Sequence, residues 1–427
     1  MNILFLSQFF DPEPTLLTRR FLRRFTAMGH HVEVLTGYPN YPRGRIYPGY
    51  RQKWRSVELY ENGSLRVVRV PLIMDHSRSA LRRILSFGSF ALSAVIPGQI
   101  GLTRPDVVFV YTLPTLRFAA SLLRFLRGAK IVIGAFDLWP DSLFDSGMIG
   151  KQRGISGRFV SWFCRGFYRS ADRILVHSPG LATILEARGV PADRIETFYL
   201  WCGEPEDSDS GNENTNIRNL SWNDSNESRV PEIVFTGNMG PMQDIGTILD
   251  AAKILMESGD PVHFRLVGGG AAVPDLKQRA RTLGLTNVTF TPPVPMSEIP
   301  SIQAAAAAMI VTLRDIPLYR NAIPSKIQYA LYGGTPILCG VAGDAAELVK
   351  RTGAGICFAP GDPTAIVTAV RNFLAMSPGM RRHMGELGRK FYMENLHSTI
   401  AAKRMEEIFL SLGSPPAEHR ENPPAEK

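Results

Sequence analysis

The sequence predicts an α/β protein of two Rossmann-like doubly wound domains facing across a cleft. Three observations predict it. Short Val- and Ile-rich runs alternate with stretches of helical spacing. The alternation stops in one polar segment and then restarts. The 427 residues exceed what a single ordinary domain holds. Apolar runs without polar alternation read as strands buried on both faces, which means parallel sheet covered by helices on either side.

In the first half, strands are predicted over Asn2–Ser7, His31–Thr36, Arg66–Val70, Val107–Tyr111, Lys130–Gly134 and Arg173–His177. Leu16–Met28, Thr115–Leu126 and Ser156–Tyr168 carry helical spacing between them. Residues 204–230 are dense in Asn, Ser, Asp and Glu, a composition too poor in apolar surface to order itself, and read as a linker. The second half places strands at Glu232–Thr236, His263–Val267, Val288–Thr291, Ala308–Thr312, Thr335–Gly340 and Gly355–Phe358. Helices fill the gaps at Ile245–Ser258, Val273–Leu283, Ser325–Tyr332, Asp344–Arg351 and Thr364–Ala375, and two more lie in Pro378–Leu412. The predicted domains are 1–203 and 231–385. Residues 386–412 form a helix packing back toward the first domain, and 413–427 a disordered tail. Ligands of such sheets lie beyond the carboxyl ends of the strands.

Apolar residues make up 44% and charged residues 20%, an ordinary globular balance. The four cysteines, Cys164, Cys202, Cys339 and Cys357, have no metal-type spacing, so no metal site and no disulfide framework are expected. The net charge of +9 is uneven, with 15 Lys and Arg against 7 Asp and Glu in residues 1–110. Nucleic-acid motifs are missing, and the excess reads as a surface for phosphorylated substrates or an anionic membrane, or as a merely solvated basic face. No secretory signal is read at Met1–Phe10, and a cytoplasmic protein is expected. Ile84–Leu102 is weakly polar, flanked by Arg78, Arg82 and Arg83, and interrupted by Gly88, Pro97 and Gly98. It reads either as a broken helix lying on a membrane or as a buried helix between two strands.

Three turns of the second half suit an anion. Thr236-Gly-Asn-Met-Gly240 ends a strand, with Gln243 just before a helix. Gly268, Gly269 and Gly270 follow the next strand. Asn321-Ala-Ile-Pro-Ser-Lys326 opens a helix: Pro324 suits its start, Ser325 offers a hydroxyl and Lys326 a cation, with Arg314 and Arg320 upstream and Glu347 on the following helix. In the first half, Asp137 stands beyond a strand beside Trp139 and Pro140. It could orient a hydroxyl or act as a base, and the same stretch could equally start a helix. Tyr38, Asn40 and Tyr41 form an aromatic, Pro-rich loop that could shape the cleft.

Taken in order, Leu35-Thr-Gly-Tyr-Pro-Asn-Tyr-Pro42, Asp137-Leu-Trp-Pro140, Thr236-Gly-Asn-Met-Gly240 with Gln243, Leu266-Val-Gly-Gly-Gly270, Ile323-Pro-Ser-Lys326 and Gly353-Ala-Gly355 resemble the group 1 (family 4) retaining glycosyltransferases of GT-B fold. The resemblance is to the bacterial branch that builds O-antigen, capsule and colanic-acid-type polysaccharide. It implies a second domain that binds a nucleoside-diphosphate sugar and a first that binds the acceptor. It further implies a lipid-diphosphate acceptor at the inner membrane leaflet, no cofactor and no metal. Asp137, Lys326 and Arg320 would be catalytic. Gly237, Asn238, Gly240, Gln243, Gly268, Gly269, Gly270, Arg314, Pro324, Ser325, Gln328 and Glu347 would line the donor. Tyr38, Asn40, Tyr41, Trp139, Arg78, Arg82 and Arg83 would lie on the acceptor and membrane side. The chain departs from the family where two glutamates are usual: Arg320 and Gln328 stand there. A nucleotide-sugar 2-epimerase on the same architecture, or a weakened nucleotide-sugar-binding partner, are the other readings.

Overall fold

The computed structural model describes residues 1–75, 79–145, 154–204, 230–295, 298–317 and 319–413. Arg78, nearly all of the predicted linker and the tail from 414 lie outside the described residues. The chain divides into two compact units. One comprises Met1–Val176, Ile184–Phe198 and the described residues from Ala401, and the other His177–Thr183 and Tyr199–Ile400.

The first unit contains β1 (Asn2–Leu6), α1 (Arg19–Ala27), β2 (His31–Gly37), β3 (Ser56–Tyr60), β4 (Leu65–Val70), α2 (Ala80–Val95), β5 (Val107–Tyr111), α3 (Arg117–Arg127), β6 (Lys130–Ala135), α4 (Asp141–Asp145), α5 (Ile155–Arg169), β7 (Arg173–Val176), α6 (Pro179–Ala187) and β8 (Ile195–Thr197). The sheet order is β3-β4-β2-β1-β5-β6-β7-β8. Only β3 runs antiparallel, against β4. Right-handed crossovers put α1 on one face and α2, α3 and α5 together on the other. On the α1 face, the rings of Phe5, Phe25 and Phe109 meet Phe409 of the last helix at 6.0–6.2 Å.

Several elements of this unit differ from expectation, β3 and α2 among them. β3 escapes the apolar rule because its periodicity is inverted: Val57 and Leu59 are exposed, while Glu58 bonds the buried guanidinium of Arg69. The helix α2 runs unbroken through Gly88 and ends only before Pro97, whose ring cannot continue a helix. One glycine costs a helix interior about 1 kcal/mol, too little to stop it.

The second unit contains β9 (Glu232–Thr236), α7 (Ile245–Glu257), β10 (His263–Val267), α8 (Val273–Thr282), β11 (Val288–Thr291), α9 (Ile299–Ala304), β12 (Ala308–Thr312), α10 (Ser325–Gly333), β13 (Ile337–Gly340), α11 (Asp344–Thr352), β14 (Gly355–Cys357), α12 (Pro363–Ala375) and α13 (Pro378–Asn395). The final helix, α14 (Ser398–Leu412), begins here. All pairings are parallel, in the order β11-β10-β9-β12-β13-β14, which is the 3-2-1-4-5-6 order of a dinucleotide-type sheet. Helices cover both faces. Phe235, Ile248, Phe264, Ile310 and Phe373 pack on one side, and Ile327, Leu331, Val341 and Tyr392 on the other. The strand order reverses between β9 and β12. These two strands share only the pairs Ala308–Ile233 and Met309–Val234, so they part before their carboxyl ends. That gap is where a sheet of this order opens to a ligand.

Candidate functional site: the carboxyl end of the second sheet

Beyond the parting of β9 and β12 the turn Gly237–Gly240 exposes Gly237 and Asn238 and buries Met239 and Gly240. The turn is stapled from several directions. Gln243 Oε1 accepts from the Gly240 N–H at 2.9 Å, Thr312 Oγ1 donates to the Gln243 carbonyl at 2.6 Å, and the Arg314 N–H donates to the Met242 carbonyl at 3.0 Å. A loop so fixed loses little entropy when it meets a ligand.

Into this turn reaches Lys326, from the first turn of α10. Its Nζ stands 5.0 Å from the Phe235 ring centroid. A Cβ on Gly237 would lie 3.4 Å from the same nitrogen, in ordinary contact, and it is the φ of +116° that favours glycine there. Burial pushes the Lys326 pKa below the usual lysine range. No carboxylate pairs with it among the described residues. The Pro324 cap brings no side chain to the α10 N-terminus, whose first N–H groups point outward with the helix dipole behind them. A desolvated cation, a bare helix terminus and a glycine turn together form a built place for a diphosphate-sized anion.

The other predicted donor residues have different fates. Gly268, Gly269 and Gly270 are required by packing. A Cβ on Gly268 would fall on the Gly237 carbonyl oxygen, one on Gly270 on the Met239 carbonyl, and one on Gly269 against Pro293. Hydrogen bonds from Gly237 N to the Val267 carbonyl and from Met239 N to the Gly269 carbonyl zip this loop to the anion turn. These glycines therefore let the two loops approach closely, with Gly270 exposed beside the turn. Arg320 is not a loose cation: its guanidinium binds Asp315 through two bonds of 2.7 and 2.8 Å. Glu347 is exposed and ion-paired with Lys350 at 3.1 Å. Ser325 and Arg314 are exposed, and Asn238 sits beside Gln243 in the turn. Gln328 is buried with its Oε1 unpartnered, an acceptor that lacks a donor.

A neighbouring cluster carried no signal in the sequence. Ser178 Oγ donates to the Asn321 carbonyl at 2.6 Å, and the Gly180 N–H donates to Asp344 Oδ2 at 2.8 Å. A Cβ on Gly343 would strike the Arg320 carbonyl. His177, beside them, has a buried Nδ1 with no partner, and burial pushes its pKa down to about 4.

In the first unit, Asp137 follows β6 and is reached by solvent, yet crowding by neighbouring atoms raises its pKa above the carboxylate range. Its charge adds to burial in holding the Tyr111 hydroxyl protonated. Asp141 opens α4 and pairs with Arg188 at 2.7 Å, so the helix start foreseen for this stretch is present. Trp139 anchors by backbone: its N–H donates to Tyr168 Oη at 3.0 Å, and its indole N–H is buried without a partner. Tyr38 and Asn40 do not present themselves as cleft walls. Both are buried, Tyr38 donating to Ser56 Oγ and Asn40 Nδ2 to the Tyr38 carbonyl. Tyr41 keeps part of its ring exposed, against Phe9. A residue missed in the sequence holds this loop. Glu13, buried, accepts from the N–H groups of Phe10, Asn40 and Tyr41 at 3.0, 2.7 and 2.7 Å. Arg82 is exposed and pairs with Asp75 at 3.8 Å, and Arg83, next to it on α2, is half-buried.

Residues 15–201 match the glycosyl transferase 4-like domain family and residues 217–391 the glycosyl transferases group 1 family. The chain belongs to the group 1 (family 4) glycosyltransferases. It is 26% identical over 398 residues to an Escherichia coli (strain K12) protein named for colanic acid biosynthesis as glycosyl transferase WcaI, covering 88% of this chain and 93% of that one. It is 26% identical over 301 residues to a Pseudomonas aeruginosa protein named as glycosyltransferase WbjE, covering 69% of this chain and 73% of that one. Among solved structures, Anabaena Alr3699/HepE in complex with UDP superposes with a TM-score of 0.66 at 15% identity, over 96% of this chain and 100% of that one. WaaG, a glycosyltransferase involved in lipopolysaccharide biosynthesis, superposes with 0.63 at 15% identity, over 95% and 99%. The fold is that of these GT-B glycosyltransferases.

Proposed function

We propose that this glycosyltransferase moves a sugar from a UDP-sugar to a lipid-linked or glycan acceptor in bacterial surface polysaccharide synthesis, with retention of configuration and without a bound metal. The observation that carries the donor assignment is Lys326: a desolvated ammonium without a carboxylate partner, against the Gly237 turn at the head of α10. The α10 amides and Lys326 hold the diphosphate. As the bond from the anomeric carbon to the phosphate oxygen lengthens, charge grows on that oxygen, and Lys326 stabilises it where water is partly excluded. Arg314 is the second cation of the site, because Arg320 is engaged by Asp315. The departing phosphate takes the acceptor proton. Asp137, with its raised pKa, orients a hydroxyl of the transferring sugar, and the unpartnered Oε1 of Gln328 accepts from a ribose hydroxyl.

Two names support the pathway: one relative is named for colanic acid biosynthesis, and a fold neighbour is titled as involved in lipopolysaccharide biosynthesis. A UDP complex of another neighbour supports the nucleotide. A lipid-linked acceptor implies peripheral contact with the inner leaflet. No helix among the described residues is long and apolar enough to cross a membrane.

The test is calorimetry with UDP-, GDP- and ADP-sugars, followed by transfer to a membrane lipid extract with and without EDTA. The anomeric configuration of the product is read by NMR. Absence of nucleotide-sugar binding overturns the proposal. Inversion of configuration overturns the retaining mechanism, and loss of turnover with EDTA overturns metal independence.

A further inference from the structure

Three neighbouring helices of the first unit share an unusual surface. α2, α3 and α5 lie on one face of the sheet. α2 packs on α3, and Phe163 of α5 packs on α3 through the Phe118 ring and the Arg117 guanidinium. None of the three contains an Asp or Glu, and together they carry eight arginines. Arg82 pairs with Asp75 and Arg124 with Asp172; Arg117 and Arg127 donate to backbone carbonyls, which leaves their charge uncompensated. Arg158, Arg165 and Arg169 fall with Trp162 on one exposed stripe of α5, at helical spacing.

The same helices expose apolar side chains that a water-facing surface does not need. Leu81, Ile84, Leu85 and Leu92 of α2, Phe118, Phe125 and Leu126 of α3, and Phe159 and Trp162 of α5 are all exposed, Phe125 to 85% and Trp162 to 64%. The second unit's seven helices α7–α13 expose two large apolar side chains, Met380 and Leu387, so the concentration is not a general trait of the chain. A patch of aromatic and aliphatic residues rimmed by arginines, without acids, is complementary to one kind of partner. Its rings fit the acyl boundary and its guanidiniums the anionic headgroups, with the arginine stems laid along the apolar surface.

We infer that the α2–α3–α5 face is a membrane-docking surface that seats the first unit on an anionic bilayer, with Phe125, Phe159 and Trp162 entering the acyl boundary. This deepens the proposed action on a lipid-linked acceptor and rests on that reading. It extends to two further helices the membrane-lying reading of Ile84–Leu102.

The experiment is cosedimentation of the full chain with two kinds of vesicle, pure phosphatidylcholine and phosphatidylcholine enriched in phosphatidylglycerol. Nucleotide binding and sedimentation velocity are measured on the same samples. The expected result is partition to the phosphatidylglycerol vesicles at least ~10-fold above phosphatidylcholine, weakened by salt. The double variant Phe125→Ser/Trp162→Ser and, separately, Arg158→Glu/Arg165→Glu lower that partition at least ~10-fold while unfolding temperature and nucleotide binding stay unchanged. Wild-type protein left in the supernatant overturns the inference. So does partition that both variants retain, or self-association that both variants abolish in the absence of vesicle binding. Nucleotide binding without partition overturns the docking surface alone, whereas partition without nucleotide binding overturns the donor reading of the second unit.

Discussion

The Lys326 ammonium stands 5.0 Å from the Phe235 ring, at the point where β9 ends and the Gly237 turn begins. The contact joins the head of α10 to the central strand of the sheet. A cation–π contact returns part of what burial costs a lysine, and only part.

Lys326→Met is therefore expected to act in opposite directions on stability and binding. It removes an ammonium whose pKa burial has lowered and fills the space with an apolar stem of similar length. Calorimetric unfolding is expected to move up, by about 2–4 °C for each kcal/mol of desolvation relieved. Nucleotide-sugar affinity is expected to fall by roughly 10–100-fold, the worth of a charge-assisted bond to phosphate. Unaltered affinity in calorimetry would remove Lys326 from the donor site.

Two glycines of the second unit are expected to separate cleanly. Gly268 has φ +140°, and a Cβ there would fall on the Gly237 carbonyl. Gly268→Ala should cost about 3 kcal/mol or more in denaturant unfolding, because both strain and overlap must be relieved. Gly246, in the first turn of α7, has open space around it, and Gly246→Ala should gain about 0.5–1 kcal/mol through helix propensity. Equal effects at the two sites would contradict the packing role of the triple-glycine loop.

How far these features could be read in advance depends on whether their cause is local. The twelve predicted strands were legible because buried parallel strands are continuous apolar runs. β9, β10, β11 and β12 begin and end at the predicted residues. β3 was illegible because its apolar residues face outward, and β8 and α9 because three and six residues carry too little period. In the site, Lys326, Gly237 and Gln243 were legible as turn and helix-start chemistry. The engagement of Arg320 by Asp315 is five residues away and was not inferred, because pairing depends on rotamers. Ser178 with Asn321 and Gly180 with Asp344 join segments more than 140 residues apart, and no spacing rule reaches that far.

His177 gives the second unit an acid-sensitive margin. Burial holds it neutral in the folded state down to about pH 4, whereas the unfolded chain protonates it near its ordinary value of 6.5. Between those two values the unfolded state binds the extra proton, so stability falls as pH falls, by at most ~3 kcal/mol across the window. Below pH 4 both states are protonated and this contribution stops changing. Urea unfolding at pH 7 and pH 4.5 should show a smaller loss for His177→Asn than for the wild type. An identical slope in both proteins would mean that His177 is not the titrating group.

Glu13 carries the last prediction. Its carboxylate is buried, faces three backbone N–H donors and shares its surroundings with Arg69, itself buried and bonded to Glu58. Glu13→Gln keeps the volume but replaces one acceptor oxygen by an NH₂ group, which must turn toward N–H donors or leave them unpaired. Each buried donor left unpaired costs ~1–3 kcal/mol, and the loss of negative charge also leaves Arg69 less well compensated. The expected destabilisation is about 2–4 kcal/mol, confined to the first unit. Hydrogen exchange gives the sharper readout. The Asn40 and Tyr41 amides should lose protection in Glu13→Gln before the β1 and β2 amides do, since the carboxylate is their hydrogen-bond acceptor. If those two amides keep their wild-type protection, the loop is held by its Tyr38 and Asn40 packing, and Glu13 is not its anchor.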